Sequence, residues 1–190
     1  MAKTKKIILG LVGEIAAGKD TAANYLKKKY RSKIISFSQP LREILDLIGV
    51  EQNRLNLSNL GKLLRKQFGK DVLSKTMAAK IKTSKAPIIT LPNVRLKEDL
   101  IHLAKLPNFY LIGIKTDPQI RFRRLRKRKG QYTDDNTKTW EQFQKDSQLY
   151  TEKSIRSLFS KCHYQLNNNG SLKSLYQQID ELIKKINTLT

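Results

Sequence analysis

The 190-residue chain is poor in cysteine, histidine and acidic residues, and each shortage excludes a class of site. Its one cysteine, Cys162, excludes an internal disulfide and a cysteine metal cluster, so we expect a reducing, cytoplasmic setting. Its two histidines, His102 and His163, lack the spacing of a metal site. No Ser-His-Asp arrangement is visible, which argues against triad-type nucleophilic catalysis.

Long apolar runs are missing as well, because no stretch approaches the roughly 18 residues that are needed to span a membrane. The short run IILGLV, which follows Lys6, leads directly into a glycine motif. We therefore interpret it as a first buried strand and not as a signal peptide, and we expect no membrane insertion.

Negative charge is scarce: 38 lysines and arginines stand against 16 acidic residues, a formal net charge of +22. A surface of this kind attracts polyanions such as nucleic acid, anionic membranes or phosphorylated substrates. The lysines are spread through most of the sequence, however. Specific binding of nucleic acid and a solvated, compositionally biased surface therefore remain alternative interpretations.

The most informative segment that is present is GEIAAGKDT, residues 13–21, which carries the phosphate-binding pattern G-x-x-x-x-G-K between an apolar strand and an amphipathic helix. Gly13 and Gly18 let the backbone turn sharply, so that its N–H groups reach phosphate oxygens. We expect Lys19 to lie exposed in the loop, where its charge can reach the β- and γ-phosphates. The helix that starts near Asp20 directs its positive end toward them. The pattern predicts binding of ATP.

Asp20 stands where this pattern usually has Ser or Thr, whose hydroxyl binds Mg²⁺. A carboxylate can hold this cation directly or through water, but it can also be only a helix-start acid that complements the dipole. Thr21 can hydrogen-bond a more distal phosphate. The predicted nucleotide-binding residues of this loop are Gly13, Ala16, Ala17, Gly18, Lys19, Asp20 and Thr21, with Asp20 as the Mg²⁺ ligand.

Strand-like apolar runs alternate with helical patterns along the chain. The predicted strands are 6–12, 33–37, 87–91, 109–115 and 164–167. This alternation predicts an α/β fold of the three-layer P-loop type, with a parallel sheet of about five strands. No linker or repeat interrupts it, so we predict a single domain over residues 1–190.

Helical stripes fill the segments between and after the strands, and Asp117-Pro118 is a helix-start signal. One stripe, ended by Gly69, comprises Leu57, Leu60, Leu64 and Phe68. The stripe of the last helix comprises Leu172, Leu175, Tyr176, Ile179, Leu182, Ile183 and Ile186.

Ligands of open parallel sheets bind beyond the carboxyl ends of the strands, and arginines occur there. Arg42 follows the second predicted strand, and Arg95 follows the third within Asn93-Val94-Arg95. Arg54 and Arg65 lie in the helical segment between these strands. Guanidinium groups suit bidentate capture of a phosphate, so all four are predicted to bind the acceptor substrate. The alternative for each is a solvated surface charge, and it is weakest for Arg95.

The basic stretch 121–129 precedes a polar loop, 130–138. This combination is typical of a closing lid, whose arginines can neutralise a transferring phosphoryl group and exclude water. Arg124 and Arg128 are the predicted lid arginines, and they join Lys19 and Arg95 as predicted catalytic residues. A patch for nucleic acid and a plain exposed helix face remain as alternatives.

Taken together, these segments resemble the P-loop small-molecule kinases of the nucleoside monophosphate kinase and dephospho-CoA kinase type, in particular a mostly archaeal dephospho-CoA kinase-like group. The matching pieces are GEIAAGKDTAANYL, ISFSQPLRE, RLNLSNLG with Leu64-Arg65, NVR, LPNFYLIGIKTDPQIRFRRLRKR, KTWEQF and NNNGSLKSL. The resemblance implies a nucleotide-kinase fold with an acceptor-binding arm at about 37–85 and a lid at about 126–140. It also implies that the loop 168–171, with Asn169 and Gly170, lies against the adenine of ATP.

The chain departs from these relatives at the end of the third strand. They usually carry an acidic residue in an Asp-Gly-x-Arg-like run, where this chain has Pro92-Asn93-Val94-Arg95. In the family the acid helps to anchor the water shell of Mg²⁺ or to position the acceptor. Two interpretations stay open: Asp20 holds the metal alone, or turnover is slow or absent.

The resulting expectation is an enzyme that uses ATP and Mg²⁺ to phosphorylate a nucleoside or deoxynucleoside monophosphate. A first alternative is phosphorylation of a ribose hydroxyl of dephospho-CoA, for which a carboxylate near the acceptor is expected. A second alternative is a weakly catalytic nucleotide-binding regulator that associates with nucleic acid, as the net charge and the missing acid suggest.

Overall fold

Five parallel strands form one sheet in the order β2-β3-β1-β4-β5 in the computed structural model, which describes residues 6–127 and 137–189. The strands are β1 (Ile7–Val12), β2 (Lys33–Ile34), β3 (Ile88–Leu91), β4 (Phe109–Lys115) and β5 (Tyr164–Asn167). Strand β1 lies at the centre, between β3 and β4, so the loop that follows it opens at the middle of the sheet edge.

Helices cover both faces of this sheet and make the fold a three-layer α/β arrangement. The α-helices are α1 (Lys19–Tyr30), α2 (Ser38–Leu47), α3 (Arg54–Phe68), α4 (Val72–Thr83), α5 (Leu100–Leu103), α6 (Pro118–Arg126), α7 (Trp140–Ser147), α8 (Tyr150–Leu158) and α9 (Leu172–Leu189). Single turns of 3₁₀ helix lie at Lys97–Asp99 and Phe159–Lys161. No helix in the described part of the chain is long and apolar enough to cross a membrane.

Alternating side chains of the central strands divide the core into two layers. On one face, Leu9, Leu11 and Ile112 pack with the apolar stripes of α1 and α9. On the other face, Ile8 and Val12 pack with residues of α2, α4, α5 and α8. Both faces of β1 are therefore buried, which fits the continuous apolar run in its sequence.

The predicted strands agree with the observed ones except at three ends. Strands β4 and β5 have the predicted bounds, whereas β1 and β3 each begin one residue later than predicted. Strand β2 ends at Ile34 although the run to residue 37 was predicted as strand. The N–H of Ile35 still donates to the carbonyl of Thr90, but the chain then turns at Ser36 and enters α2.

Two residues of the predicted helical stripes do not belong to the core. Phe68 is 66% exposed and Leu172 is 57% exposed, whereas Leu57 and Leu175 are buried. Phe68 is the last residue of α3 and Leu172 is the first residue of α9. Each apolar stripe therefore extends past the part of its helix that other elements cover. Asp117 caps α6 as predicted, because its carboxylate accepts from the N–H of Gln119.

Candidate active site

The loop between β1 and α1 has the backbone geometry of an anion cradle. Gly18 stands at the N-cap of α1 with φ 100°, and because it has no side chain it cannot cap the first-turn N–H groups. A Cβ atom on Gly13 would lie 2.9 Å from the carbonyl oxygen of Ile114, so only glycine fits there. Ala16 has φ 59° and adds a second left-handed residue. The positive end of α1 therefore opens toward the loop.

Lys19 lies inside this loop and not in solvent, so the expectation of an exposed side chain is wrong. It is 8% exposed, and its Nζ donates to the carbonyl oxygens of Gly13 at 2.6 Å and Glu14 at 3.0 Å. The curled backbone turns these two carbonyls inward, where they satisfy the ammonium group. The ammonium charge that was predicted to bind the phosphates therefore lies at the centre of the loop.

Two buried side chains hold the far end of the loop through one carbonyl. The carbonyl oxygen of Ala17 accepts from Thr116 Oγ1 at 3.0 Å and from Asn168 Nδ2 at 2.8 Å. Thr116 follows β4 and Asn168 follows β5, so the ends of two strands brace the same turn. The sequence analysis did not name Thr116 as a site residue, and it included Asn168 only within the predicted adenine loop 168–171. Their position directly after a strand was the available signal.

Asn169 and Gly170, the residues predicted to border the adenine, come directly after Asn168 in the chain. Asn169 is exposed, and its Oδ1 accepts from the N–H of Asp117 at 2.8 Å, while Gly170 is exposed beside it. Within the Asn-Asn-Gly-Ser run it is Asn168, and not Asn169, that contacts the loop.

Asp20 and Thr21 occupy the first turn of α1, directly after Lys19. Asp20 is exposed and Thr21 is half-buried. A carboxylate at this place can serve as a Mg²⁺ ligand or complement the helix dipole, so its geometry is compatible with both interpretations.

Glu14, the second residue of the loop, joins two arginines that sequence reasoning did not single out. Its Oε2 lies 3.2 Å from Arg121 Nη2, and its Oε1 lies 3.0 Å from Arg156 Nη1. Arg121 is 2% exposed, and its Nε also donates to the carbonyl of Thr116. Burial lowers the pKa of Arg121, and the neighbouring carboxylates of Glu14 and Glu152 oppose this shift.

A second contact from α8 reaches the next residue of the loop. Glu152, which is buried, accepts the N–H of Ile15 through its Oε2 at 3.2 Å. Beside these contacts lies a cavity of about 360 Å³. Its lining combines Glu14, Arg121 and Arg156 with residues of β4, β5 and the 3₁₀ turn after α8.

The predicted lid is described only at its two ends, because Arg128 and the rest of 128–136 lie outside the described residues. Arg124 is half-buried on α6, and burial lowers its pKa. Its Nη1 has no hydrogen-bond partner among the residues that the structure describes. The rings of Phe122, Trp140 and Phe143 pack together and join α6 to α7, so both flanks of the lid segment meet.

On the acceptor side, one carboxylate brings two of the predicted arginines together. Asp99 is buried, and its Oδ1 lies 3.2 Å from Arg65 Nη2. Its Oδ2 accepts the backbone N–H groups of Arg95 and Leu96, both at 3.0 Å. Burial raises the pKa of Asp99, although these three donors favour the charged form. The side chain of Arg95 is exposed.

Of the two remaining predicted arginines, only Arg42 has a side chain that the structure describes. Arg42 is half-buried, and its Nη1 donates to Oε1 of Gln52 at 3.2 Å. The side chain of Arg54, at the start of α3, lies outside the described part of the structure.

The segment after the third strand is held by an acid from farther along the chain, Asp99. Pro92 is buried and the run to Arg95 holds no carboxylate, but Asp99 folds back onto this run from four residues beyond Arg95. Sequence reasoning missed Asp99. The available signal was an acid that closes a short helical turn directly after the strand end.

These residues fit a nucleoside triphosphate and its Mg²⁺ ion. The loop offers a helix N-terminus, a glycine cradle and a buried ammonium group, which together suit a chain of phosphates. Asp20 offers the hard oxygen that Mg²⁺ prefers.

Two solved structures with the same architecture are kinases of small molecules by their titles. A shikimate kinase from Bacteroides thetaiotaomicron superposes with a TM-score of 0.63 at 15% identity, covering 94% of this chain and 98% of that one. A gluconokinase from Sinorhizobium meliloti 1021 gives 0.60 at 10% identity, covering 98% and 96%. At such identities the likeness shows the fold alone, which is the P-loop kinase fold.

Relatives by sequence cover almost the whole chain. A UPF0200 protein from Sulfurisphaera tokodaii is 28% identical over 179 residues, or 94% of this chain and 97% of its own. A UPF0200 protein from Hyperthermus butylicus is 23% identical over 186 residues, covering 98% of both chains. A family model described as an AAA domain, AAA_17, matches residues 12–141, which is more than half of the chain and includes the phosphate-binding loop. The chain therefore belongs to this AAA-domain family of P-loop proteins.

Proposed function

We propose that the protein is an ATP-dependent small-molecule kinase that transfers the γ-phosphoryl group to a nucleoside or deoxynucleoside monophosphate. The observation that carries this proposal is the loop between β1 and α1, where the Lys19 ammonium lies at the centre of a glycine-bounded turn at a helix N-terminus. The kinase titles of the fold neighbours support it.

On the nucleotide side, Mg²⁺–ATP would supply the transferable phosphoryl group and neutralise part of its charge. The loop N–H groups and Lys19 would bind its phosphates, Asp20 would hold the cation and Thr21 would contact a distal phosphate. Asn169 and Gly170 would border the adenine. Arg124 and Arg128 would approach the transferring group from the lid at about 126–140.

On the acceptor side, Arg65 and Arg95 would bind the phosphate of the acceptor, with Arg42 and Arg54 contributing from the arm at about 37–85. Guanidinium groups match a phosphate dianion by paired hydrogen bonds. Asp99 is already engaged by Arg65 and by two backbone N–H groups. It is therefore poorly placed to orient a ribose hydroxyl, which favours a monophosphate over dephospho-CoA.

The setting and extent of the enzyme belong to the same proposal. We propose that residues 1–190 work as one kinase domain in the cytoplasm, where its single cysteine, Cys162, remains reduced. The charge of +22 would then draw anionic substrates toward the site rather than bind nucleic acid specifically.

The test is an ATP-consumption screen at saturating Mg²⁺. Its acceptors are the nucleoside and deoxynucleoside monophosphates, dephospho-CoA, shikimate and gluconate. We expect turnover with at least one monophosphate and none with the other three compounds. Turnover only with dephospho-CoA would move the proposal to the first alternative. No turnover, together with tight and salt-dependent retention on heparin, would favour the nucleic-acid regulator.

A further inference from the structure

Two side chains on one face of α8 contact two successive residues of the phosphate loop. Glu152 accepts the N–H of Ile15 at 3.2 Å, and Arg156 donates to the carboxylate of Glu14 at 3.0 Å. Glu152 and Arg156 are four residues apart, a spacing that places both on the same side of a helix. One contact thus fixes the backbone of the loop and the other fixes a side chain.

The charges around this contact are complementary, but the two guanidinium groups differ in exposure: the side chain of Arg121 is 3% exposed and that of Arg156 is 40% exposed. Glu14 is 17% exposed, and it lies between Arg156 of α8 and the buried Arg121 of α6. Arg156 Nη1 also donates to the carbonyl of Ser147 at the end of α7. The carboxylates of Glu14 and Glu152 therefore face the two guanidinium groups. If the Arg156 guanidinium is removed, Glu14 keeps Arg121 as its cationic partner but loses its contact to α8.

The phosphate loop contains an unfavourable backbone conformation, so contacts from other elements are needed to stabilise its shape. Ala16 adopts φ 59° although it carries a Cβ atom, which costs of order 1–3 kcal/mol. Ala17 is held from the ends of β4 and β5, through Thr116 and Asn168. The contacts from α8 provide the matching support on the opposite flank, at Glu14 and Ile15.

We propose that Glu152 and Arg156 are positioning residues that hold the phosphate loop in its nucleotide-binding shape. Neither is a catalytic residue, because both act on the loop and not on the reacting groups. Helix α8 follows the lid segment in the chain, and Arg156 also holds the end of α7. The shape of the loop is therefore coupled to the helices that flank the lid. This inference rests on the proposed role of the loop in binding nucleotide.

The experiment measures binding of Mg²⁺–ADP by calorimetry, which does not depend on the identity of the acceptor. Arg156→Gln should weaken the binding about fivefold or more, the range typical of coupling between two sites. Arg156→Lys should recover part of the loss, because it keeps the charge. Lys153→Gln is the matched control, since Lys153 is an exposed cation on the same helix, and it should bind like the wild type.

A double-mutant cycle with Glu14→Gln separates positioning from general destabilisation. If Glu14 and Arg156 act through one contact, the double variant should bind ADP no more weakly than the weaker single variant. Additive losses, or wild-type affinity in Arg156→Gln, would overturn the proposal. Equal melting temperatures for Arg156→Gln and Lys153→Gln would show that the loss is not one of folding.

Amide hydrogen exchange of residues 13–19 without nucleotide decides the matter independently. The N–H of Ile15 and its neighbours should exchange several times faster in Arg156→Gln than in Lys153→Gln. If the wild type binds no ADP, the proposed function fails, but faster exchange would still support the α8 contact. If the wild type binds ADP and exchange is unchanged, the α8 contact is overturned while the proposed function stands.

Discussion

The proposed nucleotide side and the proposed acceptor side of this site are each organised around one carboxylate, but they differ in what that carboxylate holds. Glu14 joins two guanidinium groups that arrive from α6 and α8, and one of them, Arg121, is almost fully buried. Asp99 joins one guanidinium group and two backbone N–H groups, and the side chain of Arg95 remains exposed.

This difference indicates that the proposed nucleotide side is preformed, whereas the proposed acceptor side exposes the charge of Arg95 to solvent. On the nucleotide side, Lys19, Arg121 and the loop carbonyls already have partners. On the acceptor side, Asp99 fixes the backbone of the loop but leaves the Arg95 side chain directed outward. Changes near Glu14 should therefore affect all acceptors alike, and changes near Arg95 should distinguish among them.

The largest effect is expected for Lys19→Ala. Removal of the ammonium group should lower turnover of ATP by roughly 10²–10³-fold, as for other groups that stabilise transition-state charge. The loss should be the same for every acceptor in the screen. Because Lys19 is buried and bonds two loop carbonyls, melting temperature must be measured alongside. Lys27→Ala, an exposed lysine of the same helix, is the control, and near wild-type turnover of Lys19→Ala would contradict the assignment of the loop.

Asp99→Ala should have the next largest effect, on stability. It leaves Arg65 and two backbone N–H groups without their acceptor, so we expect a loss of about 2–4 kcal/mol in the free energy of unfolding. Denaturant titration measures it, with Glu98→Gln as the neighbouring control. A loss below 1 kcal/mol would mean that the loop after β3 does not depend on Asp99.

The same residue predicts a pH dependence of stability. Because burial raises the pKa of Asp99, the folded protein binds this proton more tightly than the unfolded chain does. The contribution of Asp99 to the free energy of unfolding should therefore fall as the pH rises from the ordinary aspartate pKa through the raised one. Asp99→Asn should abolish that decline in denaturant titrations across this range. An identical decline in the variant would assign it to other groups.

Arg95→Ala should affect the acceptor and spare the nucleotide. A charge-assisted hydrogen bond contributes about 1.5–3 kcal/mol, so kcat/KM for the acceptor should fall roughly tenfold to a hundredfold, with KM raised and kcat lowered. Affinity for ATP should stay nearly constant. Lys97→Ala, an exposed cation two residues away, is the control. Intact kinetics with a collapse of heparin binding would instead favour the nucleic-acid interpretation.

The smallest effect is expected for Asp20→Ala. If its carboxylate holds Mg²⁺, the Mg²⁺ concentration for half-maximal activity should rise about tenfold, while affinity for ADP changes less. The exposed Glu181→Ala serves as the control for the loss of one negative charge. An unchanged Mg²⁺ titration would leave Asp20 as a helix-start acid only.

Local patterns account for the parts of the molecule that the sequence predicts well. The sheet follows from apolar runs of strand length, and the loop at 13–21 follows from glycines and a lysine at fixed spacing. Strand β2 was predicted too long because the apolar run continues through Ile35 and Phe37, whereas the turn at Ser36 ends the pairing. The pattern of apolar residues alone does not show where pairing with the neighbouring strand ends.

The residues that sequence reasoning missed depend on contacts between distant segments. Arg156 and Glu14 are 142 positions apart in the chain, and neither belongs to a recognisable pattern with the other. Arg121 lies in a basic run whose other members include the exposed Arg123 and Arg126, and only packing against the loop makes it different. Asp99 differs from the other acidic residues because the fold brings Arg65 to it.

The close approach of Asn168 to Gly18 limits which residues fit at position 18. A Cβ atom on Gly18 would lie 2.2 Å from Asn168 Nδ2, and the same amide bonds the carbonyl of Ala17. A larger residue at position 18 would therefore displace the Asn168 amide, and it would also be strained by the φ of 100° at this position. Positions 18 and 168 are therefore coupled, because the amide that bonds the carbonyl of Ala17 also fills the space beside Gly18.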